Sequence, residues 1–272
     1  MKKLGVMQGR LLPKYLDRFQ AHPVGYWQGE FDLASHRKLD CIEFILDFND
    51  FDKNPLIKKD GYKEILDQVE KTGVHVNSVC ADYFMKAPFH SSSTSEVNQS
   101  EDIFFKLLKS ASKIGVKHIV LPCVDESSLS TNKFNLFKNN IKNIIKKSRS
   151  YEIDICLETD LNPRDFYDLL KDLPIDTIKV NYDSGNSASL GYDIEEEFDA
   201  YGDRIVDIHI KDRIFEGPSV TLGSGDVNFL KFKDAINKLD DEVLLIMQAY
   251  RDDEGIKIFD DQLSFFNELM RT

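Results

Sequence analysis

Two hydrophobic rhythms alternate along the chain. Short, almost uninterrupted apolar runs recur as LGVMQ (4–8), CIEFIL (41–46), VHVNSVCA (74–81), HIVLPCV (118–124), DICLE (154–158), TIKVNY (177–182), IVDIHI (205–210) and VLLIM (243–247). Runs of this length without polar alternation are expected of parallel strands covered on both faces. Between them the apolar spacing is helical. In YKEILDQVEKTG, Ile65, Leu66 and Val69 share one face and Gly73 is placed as a C-cap. DIFFKLLKSASKIG repeats the pattern and closes at Gly115. FNLFKNNIKNIIKKSRSY, PRDFYDLLKDL with Pro163 near its first turn, and FDDQLSFFNELM follow. The polar stretch HSSSTSEVNQS (90–100) reads as a loop after the third strand.

Eight β–α units without a composition break or a Pro/Gly/Ser-rich linker predict one α/β domain over residues 1–272, a single (β/α)8 TIM barrel. A doubly wound open sheet fits less well, because GVMQGRLL after the first strand is no G-x-G-x-x-G phosphate loop.

Charge and composition narrow the function. A formal net charge of -12 argues against a nucleic-acid partner, which needs a basic face, and gives no support to an anionic membrane surface. The opening MKKLGVMQGR is basic, but Gln8 and Arg10 interrupt it before a signal segment could form. No run approaches the roughly 20 apolar residues that span a bilayer. A cytoplasmic location is expected. Cys41, Cys80, Cys123 and Cys156 fall in or at the ends of strands without a C-x-x-C pair, so buried reduced thiols are expected of them.

Candidate chemistry lies at the C-terminal strand ends, where barrels of this kind keep their active sites. In order these are Gln8, Glu43, Asp82, Cys123, Glu158, Asp183, His209 and Gln248. A buried strand has no structural need for a carboxylate or an imidazole, since desolvating an unpaired charge is expensive. Glu158, Asp183, His209 and Gln248 end four successive strands and offer three oxygens and one nitrogen. That set suits one divalent ion, Mn2+, Mg2+, Co2+ or Zn2+. A single imidazole without thiolates argues against a structural zinc site.

The motifs E-T-D near the fifth strand, Y-D-S-G-N after the sixth, D-I-H-I-K-D on the seventh and L-G-S-G-D-V-N-F beyond it resemble the xylose isomerase-like TIM-barrel superfamily. Within it they are similar to the sugar-phosphate isomerase/epimerase branch. The opening G-V-M-Q-G-R and the stretch W-Q-G-E-F (27–31) join the resemblance. It implies a single metal held by Glu158, Asp183 and His209, with Gln248 where the family has a second glutamate. It also implies a small carbohydrate substrate and a homodimer. In the epimerases resembled, the two glutamates exchange protons on opposite faces of the substrate. A glutamine ligates through its carbonyl oxygen but has no titratable proton.

The expected activity is therefore isomerisation or epimerisation of a sugar, sugar acid or sugar phosphate through a metal-stabilised enediolate, with Glu158 as base. Lys211 and Asn186 are expected at hydroxyls and the developing oxyanion, Lys211 with a catalytic role. Arg213, and with less weight Arg10, are candidates for a carboxylate or phosphate. Glu43 and Asp82 are candidates for substrate hydroxyls or a second acid/base. Trp27, Tyr83 and Phe84 offer aromatic walls or satellite core. A dehydratase or lyase of a keto-sugar or keto-inositol, and a non-catalytic sugar-binding barrel, are the alternatives. An endonuclease IV type of nuclease shares the barrel but uses three metals and several histidines, where this chain has Asp82 and Cys123.

Overall fold

Strand parity divides the interior into two cores. The computed structural model describes residues 2–271. Its barrel strands are β1 (Leu4–Met7), β2 (Cys41–Ile45), β3 (Ser78–Cys80), β4 (His118–Cys123), β5 (Asp154–Thr159), β6 (Ile178–Asp183), β7 (Ile205–Ile210) and β10 (Leu244–Met247). The two-residue strands β8 (Asp212–Arg213) and β9 (Ser219–Val220) form an antiparallel hairpin beyond β7. The eight long strands are parallel and close on themselves, with β10 between β7 and β1. This is the (β/α)8 barrel that the rhythm predicts. The expected segments match closely, except that the third strand is trimmed from 74–81 to Ser78–Cys80 and a bridge from His75 to Cys41 replaces its start.

Because side chains alternate along a strand, one set fills the barrel and the other faces the helices. Met7, Cys41, Ile45, Cys80, Val120, Cys156, Leu244 and Ile246 form the inner cluster. Ile42, Phe44, Leu157, Ile208 and Met247 belong to the outer one, with helix residues such as Phe31, Ile65 and Phe232. All four cysteines are free and buried, as expected.

One helix or helix pair follows each barrel strand. The helix Tyr62–Thr72 ends on Gly73 at φ 74°, a left-handed cap that glycine adopts without strain. The loop expected at 90–100 is a correction. Helix begins at Thr94 and runs to Ile114, capped by Ser93, whose hydroxyl accepts from the Glu96 amide. Ser93-x-x-Glu96 is a capping-box spacing, and it outweighs the polar composition of the stretch. The helices Gly29–His36, Ser184–Leu190, Ile194–Tyr201 and Phe229–Ile236 have no counterpart in the apolar pattern named above. Among the described residues no helix is long and apolar enough to cross a membrane.

Candidate metal centre and active site

Inward parity at the ends of β5, β6 and β7 brings Glu158, Asp183 and His209 together. One carboxylate oxygen from each acid and a ring nitrogen of His209 lie within 4.8 Å of one another, and all three residues are buried. Asp183 is also the N-cap of the helix Ser184–Leu190, its Oδ1 accepting from the Asn186 amide at 2.8 Å. Asn186 then returns over the site and donates from Nδ2 to Glu158 Oε1 at 2.9 Å. The short helix thus fixes two carboxylates at once. Burial raises the Glu158 carboxyl well above the usual range, against the pull of His209 and with the push of Asp183.

The orientation of His209 is set from the far side. Its Nε2 lies 2.7 Å from Glu43 Oε1, while Nδ1 lies 3.9 Å from Asp183 Oδ2 and has no hydrogen-bond partner among the described residues. Glu43 Oε2 accepts from Ser78 Oγ at 2.5 Å. Burial pushes Glu43 up to about 8 and raises Asp207 beside it well above the usual carboxylate range. Glu43, Asp207 and His209 form a second group with ligand-like spacing. Nε2 is already bonded to Glu43, so the free nitrogen of the ring is the one facing Glu158 and Asp183.

Gln248 follows β10 one inward step beyond Ile246, which pairs in register with His209. Its Nε2 donates to Gln20 Oε1 at 3.3 Å, and its buried Oε1 has no partner among the described residues. Gln20 Oε1 also accepts from Arg10 Nη2 at 2.9 Å, and Gln20 Nε2 donates to Asp82 Oδ2 at 2.8 Å. His209 Nδ1, facing the two buried carboxylates, and Gln248 Oε1 are both buried without a partner among the described residues, and such nitrogen and oxygen donors fit a divalent cation. Buried acceptors without donors are otherwise rare and costly.

The loop after β7 closes one side. Lys211 Nζ lies 3.3 Å from both Asp183 Oδ2 and Asn186 Oδ1. Gly185 permits this, because a Cβ there would stand 2.7 Å from Lys211 Cγ. Arg213 donates from Nη1 to Asn186 Oδ1 at 3.0 Å and spends Nε and Nη2 on the Gly217 carbonyl. Asp212, fully buried, accepts from the amides of Gly223, Gly225 and Val227 and so anchors the L-G-S-G-D-V loop.

Several sequence candidates stand elsewhere. Gln8 has outward parity, and its Oε1 accepts from the Ile45 amide and meets His22 Nδ1. Cys123 joins the outer core. Trp27 packs edge-on to Phe44 at 5.3 Å, and Phe84 lies against Phe89 and Phe104, so both are core. Arg10 is buried, with donors committed to the carbonyls of Ala249 and Phe19 as well as to Gln20; burial brings its pKa down to about 10. Conversely, Gln20, Asn181 and Asp207 join the site network although none of them ends a barrel strand. Gln20 lies mid-loop, and Asn181 and Asp207 lie one inward step below Asp183 and His209. Counting back two residues along β6 and β7 finds the latter pair. A cavity of about 1220 Å³ opens at the opposite end of the barrel, among Lys3, Lys117, His118 and Asp154, where strands begin. Barrel active sites do not form at that face.

The family model for the xylose isomerase-like TIM barrel matches residues 31–269. A probable L-ribulose-5-phosphate 3-epimerase, UlaE, of Mycoplasma pneumoniae is 22% identical over 233 residues, 82% of this chain and 76% of that protein. Among solved structures, the IOLI protein with a bound zinc atom superposes with a TM-score of 0.77 at 15% identity, covering 98% of each chain. D-psicose 3-epimerase of Clostridium cellulolyticum H10, with D-tagatose, gives a TM-score of 0.77 at 13% identity, covering 99% of this chain and 98% of its own. With the strand order and the matched span in agreement, the chain belongs to the xylose isomerase-like TIM barrel family.

Proposed function

We propose that the protein is a divalent-metal-dependent isomerase or epimerase of a sugar, sugar acid or sugar phosphate. One observation carries this reading: Glu158, Asp183 and His209 converge within 4.8 Å while His209 Nδ1 and Gln248 Oε1 stay buried without partners among the described residues. The epimerase names among its relatives support the substrate class. The four residues would hold the ion, which when bound supplies Lewis-acid polarisation of a substrate carbonyl and its neighbouring hydroxyl. Glu158 takes the proton from the carbon between them. The Asn186 bond holds it in one orientation. Lys211 stands beside Asp183 and Asn186, positioned to stabilise negative charge on a substrate oxygen. Asp82, Asn186 and Arg213 are the substrate contacts in this reading, with Arg10 and Glu43 supporting from behind.

Gln248 cannot return a proton on the opposite face, so chemistry needing one base, centred on Glu158, fits best. The test is metal analysis of purified protein followed by deuterium wash-in from D2O across ketoses, uronates and their phosphates. A stoichiometric ion and exchange at one carbon, both lost in Glu158→Ala, are expected. Absence of both the ion and the exchange would overturn the proposal, and loss of water from the substrate would reassign the protein to the dehydratases.

A further inference from the structure

We propose that Gln20 is a positioning residue whose side chain fixes the Gln248 amide with its carbonyl oxygen turned into the metal cup. This rests on the metal-dependent reading above and deepens it. A primary amide has nearly the same shape in either flip, yet one flip presents a lone pair to a cation and the other presents N–H donors. Something must choose between them, and the hydrogen-bond polarity around Gln20 does so.

Arg10 has only donors, so the Gln20 atom 2.9 Å from its Nη2 must be the oxygen. Gln20 Nε2 then falls against Asp82 Oδ2 at 2.8 Å, an acceptor, so both ends of that amide are matched. The same Gln20 oxygen meets Gln248 at 3.3 Å and can only accept there. Gln248 must therefore offer its Nε2, which leaves Oε1 buried and without a partner among the described residues. Arg10 also donates from Nε to the Ala249 carbonyl at 3.0 Å, holding the backbone just past Gln248. The sense of the relay thus starts from a guanidinium, which has no alternative protonation state.

The arrangement also bears on the missing second glutamate. A carboxylate at position 248 would set an oxygen against the Gln20 oxygen, acceptor on acceptor. Gln20 and Gln248 are thereby a chemically matched pair, and the neutral ligand belongs to this network.

Calorimetric titration of Mn2+ into metal-stripped protein tests the inference, read as affinity rather than turnover. Gln20→Leu is expected to weaken Mn2+ binding about ten-fold, the scale of lost ligand orientation. In a Gln248→Glu background, where both side-chain atoms are acceptors, Gln20→Leu is expected to cause no loss. An equal loss in both backgrounds, or none in either, would overturn the positioning role. Should Gln20→Leu not fold, the exchange Gln20→Glu with Asp82→Asn keeps an acceptor toward Arg10 and Gln248 and restores the donor from position 82. It is expected to hold Mn2+ within about threefold of the parent protein, and a ten-fold loss would overturn the inference. Failure of the parent protein to bind Mn2+ or any divalent ion would instead overturn the metal reading itself.

Discussion

His209 gives its Nε2 to Glu43 at 2.7 Å, and by doing so leaves Nδ1 as the ring nitrogen that faces Asp183 and Glu158. The two residues are 166 positions apart and come from strands on different sides of the barrel, β2 and β7. A carboxylate behind a ligand imidazole fixes its tautomer and raises its basicity.

Glu43 should therefore govern metal affinity without touching the ion. Glu43→Gln keeps an oxygen acceptor and is expected to weaken Mn2+ or Zn2+ binding by about ten-fold, and Glu43→Leu by up to about 100-fold. Titration of metal-stripped protein measures both. Equal, parent-like affinities would show that the imidazole is held by packing alone.

Buried acids should make the metal-free protein less stable as pH rises from 6.5 to 8. Burial raises Glu30 to about 7 and Glu43 to about 8, so the folded chain binds more protons than the unfolded one above their ordinary pKa values. The sign follows: stability falls with pH through that window. His22 and His118, lowered by burial to about 3 and about 4, act oppositely, but their contribution fades above about 6.5 as the unfolded histidine loses its proton, while that of the two acids persists. Thermal melts of metal-stripped protein between pH 6.5 and 8 check this. Added Mn2+ should stabilise more at pH 8, because it binds the deprotonated Glu158. A melting temperature that rises across the window without metal would contradict the assignment.

Gly185→Ala should disturb Lys211. The new Cβ would lie 2.7 Å from Lys211 Cγ and 3.0 Å from its Cβ, too near the backbone for the side chain alone to swing clear. Overpacking of this kind costs about 1–3 kcal/mol. Denaturant unfolding should register that cost, and substrate deuterium exchange should slow as the ammonium leaves Asp183 and Asn186. Full exchange activity in both Gly185→Ala and Lys211→Met would remove Lys211 from the chemistry.

Asp212→Ala should release the loop after β7. Three amides, those of Gly223, Gly225 and Val227, lose their acceptor at once. Leaving buried donors unpaired costs about 1–3 kcal/mol each, partly recovered by water near the surface. Limited proteolysis within 214–227 should accelerate relative to the parent, while an unchanged cleavage pattern would mean that β8 and β9 hold the loop unaided.

The local pattern determined much of this protein. Eight apolar runs with helical spacing between them specified the closed barrel, because burial on both faces writes itself directly into strand composition. Glu158, Asp183 and His209 stood out for the same reason: a charged group in such a run is expensive unless it has a partner. Parity within each run even holds the cue that Gln8 and Cys123 face outward, which position at a strand end alone does not.

Tertiary structure decided the pairings. Which nitrogen of His209 is free depends on Glu43 reaching it across the barrel, and which end of Gln248 is left unpaired among the described residues depends on Gln20 in a loop 228 residues away. Hydrogen-bond polarity at a buried site is settled by whichever donors and acceptors closure of the chain brings within about 3 Å. Periodicity records only whether a residue is inside, and barrel closure supplies the partners that give each inside atom its role.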